Sequence, residues 1–181
     1  MKITGGFLKN HSIVAPKGNV TRPTSEKLRQ SVFNICQGLI EEGDFLDCFA
    51  GSGAMGIEAI SRGAKSATFI ENHPTALKAL KDNLSRLNIS SLATVVRGDV
   101  LTQLKRLKGT SYQIIYVDPP YEKGLQEKTL LLIDSLKLLH TGGILFVEGS
   151  HSRPLLFPEF TRIKLKKQRK MGSSTLYEFI G

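Results

Sequence analysis

An acid, two prolines and an aromatic ring stand in succession at Asp118-Pro119-Pro120-Tyr121, directly after the apolar run Tyr112-Gln113-Ile114-Ile115-Tyr116-Val117. The run reads as a buried parallel strand, which puts the four residues at its carboxyl end, where open α/β sheets hold their ligands. Each proline lacks a backbone donor and holds φ near about −65°, so the turn is stiff and presents oxygen acceptors with few competing N–H groups. That suits the exocyclic NH2 of a nucleobase. Such an amine is a poor nucleophile because its lone pair is delocalised into the ring. Acceptors on its hydrogens, with a sulfonium methyl donor held in line, lower the barrier by positioning and electrostatics. Tyr121 would stack on the base face. An ordinary strand-end turn with a surface tyrosine is the plainer reading of these four residues alone.

A second constellation lies earlier. Phe45 to Gly56 is strand, glycine turn and helix start in succession, with Gly51, Gly53 and Gly56 spaced as G-x-G-x-x-G. Such a turn lets backbone approach a ligand closely and aims helix N–H groups at it. Glu71, 20 residues after Gly51, is placed to accept from ribose hydroxyls, which both NAD and S-adenosylmethionine carry. Asp47 favours the second ligand: a carboxylate can face its ammonium but sits poorly beside a pyrophosphate. Asp99, in Arg97-Gly98-Asp99, could accept from an adenine amine. The cofactor set is then Asp47, Phe49, Gly51, Ser52, Gly53, Glu71, Asn72, Asp99 and Val100. Taken singly, Glu71 or Asp99 also reads as a solvated strand-end acid or a helix cap.

The elements that must position these groups alternate. Strands are expected near Phe45–Phe49, Ala67–Ile70, Thr94–Val96, Ile114–Val117 and Ile144–Val147. Helices are expected near Ala54–Arg62, Pro74–Leu87, Val100–Leu107 and Leu125–Leu139. This is the signature of a doubly wound, mostly parallel sheet. A further helix over Ser25–Ile40 carries a stripe of Leu28, Val32, Ile35, Cys36, Leu39 and Ile40, with Thr24 or Ser25 as its cap. Phe160–Leu165 and Thr175–Ile180 flank the polar stretch Lys166 to Ser174, predicting an antiparallel hairpin. Before residue 24, Ile3 and Ile13-Val14 read as short strands of an arm with too little apolar surface to fold alone. The expected organisation is an arm over 1–23 that contacts RNA and one domain over 24–181.

Composition narrows the classes. With 181 residues and 40% hydrophobic content, one core is expected. No apolar stretch approaches the roughly 20 residues of a membrane span, and the start lacks an apolar signal region, so a cytoplasmic protein is expected. Two cysteines without a Cys-x-x-Cys pair, and four scattered histidines, indicate neither a disulfide framework nor a metal site. Net charge is +9, and residues 1–36 hold six Lys/Arg against one acid while residues 151–181 hold seven against two. Basic ends around a near-neutral centre suggest a polyanion held at the periphery; simple solubilising charge is the alternative. Lys9, Lys17, Arg22, Lys27 and Arg29 are the candidate phosphate contacts.

Several segments together resemble the RsmD family, bacterial methyltransferases of the N2 amine of a guanine in 16S ribosomal RNA. They are Gly5-Gly6; Arg22-Pro23-Thr24 with Arg29, Val32, Phe33 and Asn34; Leu46 to Gly53; Glu58-Ala59; Ser61-Arg62-Gly63-Ala64; Gly98-Asp99; and Val117 to Tyr121. The resemblance spans essentially the whole chain. It implies the class I S-adenosylmethionine-dependent methyltransferase fold, with seven strands, a C-terminal antiparallel hairpin and a short N-terminal β arm. It also implies S-adenosyl-L-methionine as methyl donor and 16S rRNA within a small-subunit assembly intermediate as substrate; nothing in the residues demands more than a monomer. The family often has Phe where Tyr121 stands, and either ring can stack. Read from the residues alone, an adenine-N6 or cytosine-N4 methyltransferase, an NAD-dependent oxidoreductase and a silent RNA-binding module stay open.

Overall fold

The computed structural model describes residues 1–16, 25–120, 124–152 and 154–181. Ser25 caps the first helix: its hydroxyl accepts from the Leu28 N–H at 3.3 Å, and α1 runs Glu26–Ile35. The helix read through to Ile40 is in fact two. Cys36, at φ −98° and ψ 16°, separates α1 from the four-residue α2 (Gln37–Ile40), whose Gly38 is a weak helix former.

From there β1 (Asp44–Asp47), α3 (Ala54–Ser61), β2 (Ser66–Glu71), α4 (Pro74–Arg86), β3 (Ala93–Arg97), α5 (Val100–Arg106), β4 (Tyr112–Val117), α6 (Leu125–Leu136) and β5 (Leu139–Ser150) alternate as the periodicities predict. Next come β6 (Lys164–Met171) and β7 (Ser174–Ile180), with no helix between them. The strands form one sheet in the order β3-β2-β1-β4-β5-β7-β6. The first five are parallel and the last two antiparallel. This is the seven-stranded architecture that the resemblance implies. Strand order reverses between β1 and β4, the switch point at which such sheets open a crevice.

Successive strand residues feed opposite layers. Phe45, Phe69, Ile114, Tyr116 and Phe146 join the core under α1, α3 and α4. Leu46, Ile70, Ile115, Val117 and Leu145 join the one under α5 and α6. Both cysteines are free and buried in these layers.

The hairpin is longer than the sequence pattern indicates. β6 starts at Lys164 and continues through the basic stretch expected to be its loop, and the turn is Gly172-Ser173. Period-2 alternation fails here because β6 pairs only with β7 and most of it is exposed; lysines on such an edge also discourage pairing with other chains. Phe160 is not in a strand. It packs with Phe157 over Phe179 and Tyr177, while the Asp134 carboxylate accepts from the Thr161, Arg162 and Ile163 amides and sets where β6 begins.

Among the described residues of the amino-terminal segment, the expected strands reduce to one antiparallel bridge, Lys2 with Ser12. The segment is nonetheless docked, since Ile3, Leu8 and Ile13 are buried in the main core. Gly6 adopts φ +78°, and a Cβ there would fall 1.6 Å from the Ser61 carbonyl oxygen, so only glycine permits the approach. Ser61 answers with its hydroxyl, which donates to the Gly5 carbonyl at 2.6 Å and accepts from the Leu8 N–H at 2.9 Å.

Candidate active site

The carboxyl ends of β1, β2, β3, β4 and β5 open onto one cavity of about 900 Å³. Its first wall is the turn from β1 into α3. Gly53 is the N-cap residue of α3 at φ +84°, and a Cβ on Gly56 would meet the Phe69 ring at 2.2 Å. The first of these glycines turns the chain and the second lets the helix lie against β2. The turn is tied on two sides. Glu71 Oε2 accepts from the Gly51 N–H at 2.7 Å, and Asn83 of α4 donates to the Ser52 carbonyl at 3.0 Å.

Asp47, Phe49, Gly51, Ser52, Glu71, Asn72, Asp99 and Val100 all line the cavity; Gly53 does not, and serves as the N-cap of α3. Asp47 is 2% exposed, and its Oδ2 accepts from the Gly56 N–H at 3.3 Å. Burial pushes its carboxyl up to about 7; the Glu71 charge adds to this, while the Gly56 and Phe49 N–H groups oppose it. A buried acid with so costly an ionisation fits a ligand that brings a positive charge. Glu71 Oε1 accepts from the Asn72 and His73 amides at 2.8 and 2.7 Å, which fixes its carboxylate at the strand end. Asp99 is also a helix cap: Oδ1 accepts from the Thr102 N–H at 2.9 Å. The cap and ligand readings of Asp99 are compatible, since a carboxylate has a second oxygen.

Asp118, Pro119 and Pro120 line the same cavity on the far side of the switch point, with Asp118 partly exposed and Pro119 buried. Tyr121 lies outside the described residues. The cavity therefore has a glycine-loop half that can take a nucleoside bearing a cationic tail, and a half edged by Asp118 that can take a second group. The donor set fits S-adenosylmethionine: carboxylates at successive strand ends, one of them buried with its ionisation suppressed, and, among the described residues, no Lys or Arg side chain in the lining.

The lining also includes residues that the sequence reading passed over. Glu148, two residues before the end of β5, accepts from the Tyr116 hydroxyl at 3.0 Å and from the Ser174 hydroxyl at 2.6 Å. Burial, with the Asp118 and Glu148 charges added, holds the Tyr116 phenol well above its ordinary range, so it remains a donor. Glu148 follows Ile144–Val147 as Asp118 follows Ile114–Val117, so the strand-end rule would have found it. Met171 to Ser174, around the hairpin turn, also line the cavity, and Met1 and Leu28 contribute from the amino-terminal side. Asn83, the polar member of the apolar face of α4, was the signal for a clamp on the loop.

The basic residues divide. Lys9 and Lys27 are exposed, and Lys17 and Arg22 lie outside the described residues. Arg29 corrects the expectation of a phosphate contact. It is fully buried, its guanidinium Nη2 donates to the Lys2 carbonyl at 2.6 Å, and its Nε stands 3.7 Å from Glu58 Oε2. Glu58 also receives Arg62 at 2.9 Å and the Thr4 amide. An internal ion cluster cannot meet a phosphate, and here it fastens the amino-terminal segment to α3.

The family described as "Conserved hypothetical protein 95" matches residues 1–180. The chain is 34% identical over 175 residues to the ribosomal RNA small subunit methyltransferase D of Buchnera aphidicola, covering 97% of this chain and 91% of that protein. A solved structure of yhhF from Escherichia coli superposes with a TM-score of 0.87 at 30% identity, over 99% of this chain and 96% of that one. An RNA methyltransferase from Salinibacter ruber in complex with S-adenosyl-L-homocysteine shares the fold, with a TM-score of 0.67 at 14% identity over 87% and 92% of the two chains.

Proposed function

The chain belongs to the Conserved hypothetical protein 95 family, the RsmD family of the resemblance, and from that premise we propose that it methylates ribosomal RNA of the small subunit with S-adenosylmethionine, at the N2 amine of a guanine. One observation carries the reading: the glycine loop, Glu71, Asp99 and the Asp118-Pro119-Pro120 turn share a single cavity across the switch point. S-adenosylmethionine supplies a methyl group on a sulfonium, ready for displacement by a nucleophile.

The residues divide the remaining work. Asp47 faces the ammonium of the bound donor, Glu71 the ribose hydroxyls, and Asp99 with the Val100 amide the adenine edge. The target guanine leaves its stack and enters the other half of the cavity. There Asp118 and the Pro119 carbonyl accept from its N2 hydrogens and aim the nitrogen at the methyl carbon; Tyr121 is assigned the stacking role. The amine becomes acidic only as its bond to the methyl forms, so a carboxylate waiting to accept that proton stabilises the transition state more than the ground state. No strong base is required. Lys9, Lys17, Arg22 and Lys27 are assigned to RNA phosphates around the cavity mouth. The chain acts as a cytoplasmic monomer on a small-subunit assembly intermediate.

Tritiated methyl transfer to small-subunit particles from a strain lacking the modification, followed by nucleoside identification, tests the reading. N2-methylguanosine is expected. N6-methyladenosine or N4-methylcytidine would overturn the choice of base, and absence of transfer would overturn the reaction.

A further inference from the structure

We infer that Glu148 distinguishes guanine from the other amine-bearing bases by accepting the N1–H that lies next to the reacting N2 amine. The inference rests on the reaction proposed above and concerns the same cavity. β4 and β5 run parallel with Tyr116 opposite Phe146 and Val117 opposite Val147, so Asp118 and Glu148 are the next residues on two neighbouring strands. Asp118 stands one residue past β4 and Glu148 within β5, and both line the cavity.

Glu148 is not a loose surface acid. Its Oε2 accepts from Tyr116 on β4 and its Oε1 from Ser174 on β7, so two strands hold one rotamer. Each carboxylate oxygen has two acceptor positions, and one hydroxyl on each leaves capacity directed at the cavity. Beside the N2 amine of guanine stands a ring N–H donor. Beside the N6 amine of adenine and the N4 amine of cytosine stands a ring nitrogen with a lone pair. A carboxylate fixed next to Asp118 attracts the first arrangement and repels the other two. The Asp118-Pro119-Pro120 turn, which only needs an amine, does not make that distinction.

The test uses small-subunit particles reconstituted with RNA in which 2-aminopurine replaces the target guanine, keeping the 2-amine and losing the N1 hydrogen together with O6; the Glu148 variant separates the two losses. Wild-type kcat/KM should fall at least about 10-fold, the scale of a lost hydrogen bond to a charged group. Glu148→Gln should narrow that gap, because its amide can donate to the bare nitrogen, while affinity for S-adenosylhomocysteine stays within about twofold. Equal wild-type turnover of the two bases would overturn the inference whether or not the variant folds. A variant slowed equally on both bases, with the ratio unchanged, would make Glu148 structural and also overturn it. Failure of the underlying reaction reads differently: unsubstituted particles would then yield no N2-methylguanosine.

Discussion

Asp47 should make donor binding depend on pH below neutrality. Its carboxyl is raised from 3.8 to about 7, roughly three units, and each unit corresponds to about 1.4 kcal/mol, so ionising it in the empty protein costs on the order of 4 kcal/mol. The sign follows from proton counting. Between about pH 4 and 7 the folded protein holds a proton that the unfolded chain has lost, so stability without ligand falls as pH rises through that range and levels above it. A ligand ammonium beside the carboxylate draws its pKa back down, so binding below about pH 7 expels the proton. Affinity should therefore climb by up to about tenfold per pH unit until about pH 7 and then flatten. Calorimetry with S-adenosylhomocysteine, which carries the same ammonium, measures this directly, and two buffers of different ionisation enthalpy report the released proton. Asp47→Asn should bind more weakly and lose the slope. A flat wild-type profile below pH 7, or the same slope in the variant, would refute the placement of the ammonium at Asp47.

Three further outcomes are expected. Glu71→Ala should cost donor affinity by roughly 1–3 kcal/mol, since it removes a charged acceptor and frees the Gly51 amide; unchanged calorimetric affinity would remove Glu71 from the site. Arg29→Ala should destabilise folding by about 2–5 kcal/mol in urea titration, since it empties a buried site, leaves the Lys2 carbonyl without its donor and leaves Glu58 with Arg62 as its one cation, whereas a variant of normal stability with weakened RNA binding would restore it as a phosphate contact. Neutralising Lys9 or Lys27 should reduce the slope of log RNA affinity against log salt by about one, and an unaltered slope would return that lysine to simple solvated surface.

Where hydrophobic period was sharp, the sequence was legible. The five parallel strands and four crossover helices have their expected places because the inner strands β1, β2 and β4 are packed on both faces and each helix on one. The hairpin boundary was hidden because β6 is an exposed edge, so burial imposes no pattern on it, and Phe160, read as the start of the strand, instead joins Phe157 in a cap over β7. Strand-end acids were readable because the topology sends every parallel strand to one rim; Glu148 escaped only because the rule was not carried to β5. Arg29 was misread for a physical reason: charge counted along a chain cannot show that Glu58, 29 residues later, draws an arginine inside. The segments that carry the family resemblance outside the site, Gly5-Gly6, Arg29 and Ser61-Arg62, prove to be one clamp, and they mark how the amino terminus is fastened to α3.

The proposed chemistry requires donor and target amine to meet at Asp118. Methyl transfer to deficient small-subunit particles by Asp118→Ala, measured beside its affinity for S-adenosylhomocysteine, tests it most directly. Donor binding near the wild-type level is expected, with methyl transfer lost. Turnover retained in that variant would contradict it.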